Sequence, residues 1–347
     1  MPSGRHLFAT LAGLCVLAFA DTAAAVPGGA VDIDASAQHS CAVTDCGDLV
    51  CWGRNDFGQA NDHVVTSGLF TRPRTPWTDV STGALHTCAK DALGNAACWG
   101  YNAYEQTDLR IRTDVSQVAA GGYHTCVLDG WGAAYCNGYN GQGQASPPQE
   151  FFVDISAGAY HTCGLRTDGE ILCWGDDSDG QSSPMPTWAL RIGEEFVDVE
   201  AGQFHTCAVT DYGTLYCWGR GDTGQLHPAI DDGRWGPALG DRSVIDGDFE
   251  SAGLGSAGTC AVSDDWVECW GYPFSLGGIY TRPSGFDYEG VAVGSQHACA
   301  FDTAGDVACW GHDAYGRATP DPITGGSCPS TPTFGGPLPF QPVGPWG

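Results

Sequence analysis

Lysine is almost absent: Lys90 is the only one in 347 residues. Lys and Arg together number 14 against 41 Asp and Glu, for a net charge of −27. The arginines are scattered and form no basic run. Nucleic acids and anionic lipid surfaces need their phosphates neutralised by Lys and Arg, so the composition excludes both as partners. The acidity itself reads as solubility in an extracellular medium. Apolar runs able to cross a bilayer are also missing; residues 7–20, "LFATLAGLCVLAFA", are too few. No nucleophile elbow, phosphate loop or His-Glu zinc motif occurs. The adjacent acids Glu194/Glu195, Asp231/Asp232 and Asp264/Asp265 would point to opposite faces of a strand, so they form no acid/base dyad. No catalytic residue, cofactor or metal is assigned, and an enzyme is the less favoured reading.

What is present begins with an export signal over residues 1–25. Arg5 and His6 precede the apolar run, and small residues at Ala23 and Ala25 suit cleavage after Ala25. Cys15 would leave with the signal; Leu14 before it argues against lipidation. The mature chain is expected in the periplasm, at the cell surface or outside the cell, as a monomer without membrane insertion.

Residues 26–320 repeat. Seven cysteine pairs recur: Cys41/Cys51, Cys88/Cys98, Cys126/Cys136, Cys163/Cys173, Cys207/Cys217, Cys260/Cys269 and Cys299/Cys309. Around them recur "AGAYHTC" and "AGQFHTC" upstream and "CWGDDSDGQ" and "CWGRGDTGQ" downstream. Short alternating segments such as "VDI" and "VDV", and β-rich stretches such as "HTCAV" and "TLYCW", are joined by Gly-containing turns. Helical periodicity is lacking. Each unit is therefore a small antiparallel sheet of three or four strands, and radial repetition of such sheets makes a propeller. The fold class is all-β, a seven-bladed β-propeller with one hairpin disulfide per blade. Paired residues on two strands of a hairpin come close enough to bridge. In the sixth unit the turn "SDDW" lacks the Gly and the cysteine spacing falls by one, as a hairpin register tolerates. Zinc sites favour shorter spacings. Cys46, in the first turn, and Cys328, in the Pro/Gly-rich tail 321–347, are expected to bridge across the ring closure, with two free or separately capped thiols as the alternative.

The run "AGxxHTCAVxxxGxLYCWGxxxxGQL" resembles the repeats of the regulator of chromosome condensation family over roughly residues 31–317. The resemblance implies a seven-bladed β-propeller. The family's nuclear member is an exchange factor for the Ran GTPase that sits on chromatin. The acidic, exported character here departs from it, and the cysteine pairs look like an adaptation to export. Similar secreted bacterial propellers include an inhibitor of β-lactamase that acts through one face, which implies a binding surface without naming a target.

Within the repeat, His39, His86, His124, His161, His205 and His297 precede the first cysteine, with Gly258 in the sixth unit. They read as structural histidines bonding to backbone between strands or blades rather than as a metal ring. Trp52, Trp99, Trp174, Trp218, Trp270 and Trp310 read as packing between blades, with Asn137 in the third unit. "RGD" at 220–222 and "DDSDGQ" at 176–181 lie in the variable loop, which weakens both an adhesion and a calcium reading. Aromatic and Arg residues on irregular connections are the candidate partner anchors: Arg72, Trp77, Arg234, Trp235, Tyr280 and Arg282. The expected function is a non-catalytic protein-binding scaffold acting through its loop faces. Glycan binding of a lectin type, or a lyase or hydrolase site at the channel mouth, stay open as alternatives.

Overall fold

The computed structural model describes residues 26–61, 75–184, 186–187, 190–226, 242–263, 266–272, 287–316, 318 and 323–324. Seven antiparallel sheets follow one another along the chain. Blade 1 has an inner, a middle and an outer strand at Ala30–Ala35, His39–Thr44 and Leu49–Gly53. Blade 2 repeats them at Trp77–Thr82, His86–Asp91 and Ala96–Gly100, and blade 3 at Val115–Ala120, His124–Asp129 and Ala134–Gly138. Blade 4 uses Phe152–Ala157, His161–Arg166 and Ile171–Gly175; blade 5 uses Phe196–Ala201, His205–Thr210 and Leu215–Gly219. Blade 5 gains a fourth strand, Arg242–Ile245, on its outer edge. Blade 6 is Phe249–Leu254, Gly258–Ser263 and Trp266–Gly271, and blade 7 is Tyr288–Val293, His297–Asp302 and Val307–Gly311. The expected seven-bladed β-propeller is the fold.

The middle and outer strands pair so that each cysteine faces its partner. Blades 1 to 4 are stapled by Cys41–Cys51, Cys88–Cys98, Cys126–Cys136 and Cys163–Cys173. Blades 5 to 7 are stapled by Cys207–Cys217, Cys260–Cys269 and Cys299–Cys309. Their Cα–Cα distances are all 4.0–4.1 Å. The middle-strand cysteine of every pair is fully buried. The outer-strand partners are less uniform: Cys51, Cys136 and Cys217 are buried, whereas Cys98, Cys173, Cys269 and Cys309 are half-buried. In blade 6 the strands pair through Ser263 and Trp266, so two residues close the hairpin where the other blades use a longer turn. In those longer turns a glycine such as Gly213 takes φ +74°, a left-handed conformation that a side chain disfavours. Cys46 is also disulfide-bonded; its expected partner Cys328 lies outside the described residues.

The core is divided among the blade seams. Each of seven apolar clusters draws on two adjacent blades, as where Leu165, Ile171, Phe196, Val199, Tyr216 and Trp218 join blades 4 and 5. The ring closes when Ile33, Val50 and Trp52 of blade 1 pack with Ala292 and Phe301 of blade 7. Beyond the blades, Val26–Pro27 pairs in parallel with Ile323–Thr324, bringing together segments from both ends of the repeated region. No helix among the described residues is long and apolar enough to cross a membrane.

Candidate binding face at the channel mouth

The inner strands surround a central channel of about 630 Å³. Each inner strand carries a register shift after its first residue. Past it, the third and fifth residues of blades 1, 2 and 4, and the third of blade 3, reach across to the next blade. There they cap backbone N–H groups that no strand pairs, because inner strands of neighbouring blades do not form a ladder. Val80 N–H donates to Asp32 at 2.8 Å and Thr82 N–H to Asp34 at 2.6 Å. Val118 N–H donates to Asp79 at 3.1 Å and Val199 N–H to Asp154 at 3.1 Å. Ser156 Oγ donates to Glu200 at 2.9 Å. Asp198 hydrogen-bonds Asp154 as a neutral acid.

Six carboxyl groups thus stand on the inner strands of blades 1, 2, 4 and 5, and four of them, Asp32, Asp34, Asp79 and Glu200, line the channel. Burial pushes Asp32 up to about 7, with the nearby Asp79 charge adding to it. Burial raises Asp79 to about 6, and burial together with Asp154 raises Asp198 to about 8. Asp34, Asp154 and Glu200 are pushed up for the same first reason. Blades 6 and 7 offer Ser251, Gly253, Gly290 and Ala292 at the same positions, so the acidity is one-sided.

The loops between inner and middle strands and the loops after the outer strands lie at one end of every blade. The hairpin turns lie at the other. At the first end the aromatic side chains are joined. Phe57 meets Tyr101 at 5.1 Å between ring centroids, Tyr104 meets Tyr123 at 5.7 Å and Tyr139 at 5.3 Å, and Tyr160 meets Tyr139 at 6.1 Å. The result is a crescent over blades 1 to 4. Tyr123 and Tyr160, with Leu85, Gln38 and Phe204, also line the channel mouth. Beyond the crescent, Arg220 lies 4.2 Å over the Phe204 ring and pairs with Asp179 at 2.7 Å. Arg54 bonds Asp56 and Gln38 and lies over Tyr315.

Under this face runs the histidine ring. His Nε2 meets a hydroxyl of the next blade at 2.7–2.9 Å: His39 to Thr87, His86 to Thr125, His124 to Thr162, His161 to Thr206, His205 to Thr259, and His297 to Ser40. The link is between blades as expected, but to a hydroxyl rather than to backbone. Thr87, Thr162, Thr206 and Thr259 donate their own proton to the carbonyl of Gln59, Gln144, Gln181 and Gln225. The hydroxyl must therefore accept, which places the ring proton on Nε2. Burial keeps the imidazole neutral, lowering His39 to about 3 and His86 to about 4. The glycine of each "AGxxH" makes room: a Cβ on Gly121 would stand 2.4 Å from the His124 ring. Blade 6 lacks the histidine at Gly258, and blade 7 lacks the matching hydroxyl at Ala298, so the two partners of that seam are missing together. The same glutamine carbonyls accept the indole N–H of Trp99, Trp174, Trp218 and Trp270. Asn137, at this position in blade 3, bonds Asp108 and Arg110 of the preceding loop instead.

Of the residues singled out as partner anchors, Trp77 is the first residue of its inner strand, and its ring packs against the core between blades 1 and 2. Arg72, Arg234, Trp235, Tyr280 and Arg282 lie outside the described residues. In "DDSDGQ" the acids are taken up locally: Asp176 accepts from Ser178 and Gln181, Asp177 from Ser182 and Ser183. Among the described residues no group of three His, Cys, Asp or Glu could hold a metal ion. The channel acids and the crescent are the features the sequence reading passed over. Their signal is register: an acid recurs second in "VDIDA", "VDISA" and "VDVEA" and again fourth in the first and last, and Tyr recurs before the histidine and after "WG" or "NG".

The regulator of chromosome condensation (RCC1) repeat matches residues 30–59, 115–144, 152–181, 196–225 and 289–317. No curated protein matches the sequence. Among solved structures, Prp20p from Saccharomyces cerevisiae is 18% identical at TM-score 0.62, over 83% of each chain. The ectodomain of the Physcomitrella patens receptor kinase CR4 is 22% identical at TM-score 0.58, over 82% of this chain and 73% of its own. The ectodomain of the Arabidopsis thaliana receptor kinase ACR4 is 20% identical at TM-score 0.58, over 83% of this chain and 97% of its own. Five matched repeats, seven blades of one build and these shared folds make the chain a member of the RCC1-repeat β-propellers.

Proposed function

We propose that the protein is an exported, non-catalytic scaffold that binds another protein through its channel-mouth face. The observation that carries this is the tyrosine crescent. Tyr supplies large, rigid contact area at low entropic cost and is enriched at interface hot spots. Tyr104 and Phe57 are 46% and 45% exposed on loops held by a stapled frame. Seven disulfides suit an oxidising compartment, and the signal-like residues 1–25 suit export. The similar Prp20p is described with binding properties to Gsp1p and histones, so propellers of this build can dock proteins. The tail is tied to the frame through Cys46–Cys328, which peptide mapping without reduction would detect as one linked pair.

The test is capture by immobilised residues 26–347 with disulfides formed, from envelope and culture-fluid fractions of the producing cell. One stoichiometric protein retained by the native chain and lost by Tyr104→Ala with Tyr139→Ala supports the reading. Retention of glycans alone would replace it with a lectin role.

A further inference from the structure

Inside the tyrosine rim the channel lining carries four carboxyl groups, Asp32, Asp34, Asp79 and Glu200, with the hydrogen-bonded pair Asp154 and Asp198 on neighbouring inner strands; the lining cation Arg54 spends its bonds on Asp56 and Gln38. Among the described residues no Lys or Arg hydrogen-bonds Asp32, Asp34, Asp79, Asp154, Asp198 or Glu200; Lys90 acts on Asp79 only through its field. Their partners are backbone N–H groups and the side chains of Ser, Thr, Gln and each other. Asp34 and Glu200 stand at the fifth positions of their strands, toward the mouth, and Glu200 senses the Asp34 charge across the channel. The space of about 630 Å³ is of the size that encloses a compact ligand group. The wall leading to it is aromatic at Tyr123, Tyr160 and Phe204. Arg220 already shows that a guanidinium rests on a ring at this face, 4.2 Å over Phe204.

Resting on the protein-binding reading above, we propose that the partner presents a projecting loop whose Lys or Arg side chain enters the channel mouth between Asp34 and Glu200, while the tyrosine crescent packs the flank of that loop. Charge complementarity selects this occupant. The chain carries net charge −27, and the mouth joins aromatic contact area to acids that no Lys or Arg among the described residues hydrogen-bonds; burial holds Asp34 and Glu200 toward their neutral forms, and a cation set between them favours the charged ones. A bare divalent ion fits poorly, because the acids spread over four blades and no three of the described ligand-type residues converge. A long basic side chain needs no such convergence; it needs a rim that holds its stem and an acid at its tip.

The probe is a phage-displayed library of disulfide-closed peptide loops, selected against the mature protein with its disulfides formed. The expected result is a fixed Arg or Lys at the loop tip. Replacing that residue by Gln in one selected peptide should weaken binding by about tenfold or more. The double variant Asp34→Asn with Glu200→Gln keeps acceptor oxygens for Thr82 and Ser156, and its fold is checked by thermal melting. It should bind the Arg and Gln peptides alike. Tyr104→Ala with Tyr139→Ala should weaken both peptides while keeping their ratio. Selected loops that need the tyrosines but carry no basic tip would overturn the inference and leave the protein-binding reading standing. Arg-dependent binding indifferent to the tyrosine variants, or matched by free argininamide, would show a simple cation well and overturn it too. A library that yields no binder would count against both readings.

Discussion

Thr162 serves two neighbours at once. It accepts from His124 Nε2 at 2.8 Å, donates to the Gln144 carbonyl at 3.0 Å, and lies fully buried at the seam of blades 3 and 4. Thr162→Val keeps the shape and removes the hydroxyl, which leaves the buried Nε2–H of His124 without an acceptor. A donor stranded in this way costs about 1–3 kcal/mol. Guanidinium unfolding with disulfides intact should show a loss of that size; a change below about 0.5 kcal/mol would mean the link carries no net stability. The seam of blades 6 and 7 makes the same point from the other side. Gly258 and Ala298 give up donor and acceptor together, and removing both partners is close to neutral. This coupling was only half legible in the sequence. The recurrence of "HTC" marks His and Thr as structural, but their pairing joins residues 38 to 54 positions apart in adjacent blades, or 257 apart at the closure, which no local pattern encodes. The channel acids were harder still. That "VDIDA" alternates says only that Asp32 and Asp34 share one face; that this face looks into a channel is a property of the closed ring.

The hairpin is the element the sequence states most fully. Ten-residue spacing, a central glycine and strand-forming flanks together define the register, and the blade 6 exception confirms it, since the spacing of nine comes with a shortened turn. The extra strand Arg242–Ile245 of blade 5 was not legible, because it follows a long irregular connection with no counterpart in the other units. Each staple closes a loop of about eleven residues, which in the chain-entropy account contributes about 3 kcal/mol. Cys207→Ala with Cys217→Ala should therefore lower stability by up to about 3 kcal/mol. Both half-cystines are wholly buried between blades 5 and 6. The loss should consequently exceed zero even if denatured-state structure absorbs part of the entropy. A pair of alanines that leaves the unfolding midpoint unmoved would show that packing alone holds the hairpin.

At the scale of the ring, two buried sets of titrating groups oppose one another. The inner-strand carboxyls have folded values above their ordinary range: Asp79 about 6, Asp32 about 7, Asp198 about 8. The fold thus favours their protonated forms, and the stability they contribute is present at low pH and lost as pH rises through those values. The histidines have folded values below theirs, with His39, His124 and His205 about 3 and His86 and His161 about 4. Their contribution is full above the unfolded value near 6.5 and is lost as pH falls toward the folded ones. Between pH 4 and 6.5 the two sets pull in opposite directions and largely cancel. Between 6.5 and 8 only the carboxyls titrate, so stability should rise as pH is lowered through that window. Thermal melts of the oxidised mature chain should show a higher midpoint at pH 6.5 than at pH 8. Asp198→Asn supplies the control. The amide can donate to Asp154 as the neutral acid does, and it carries no charge at any pH. The variant should outlast the native chain at pH 8, match it near pH 6.5, and show a shallower slope between them. A native slope that is flat, or one that Asp198→Asn leaves unchanged, would mean that water reaches these acids and keeps them ionised, and that their burial costs the fold little.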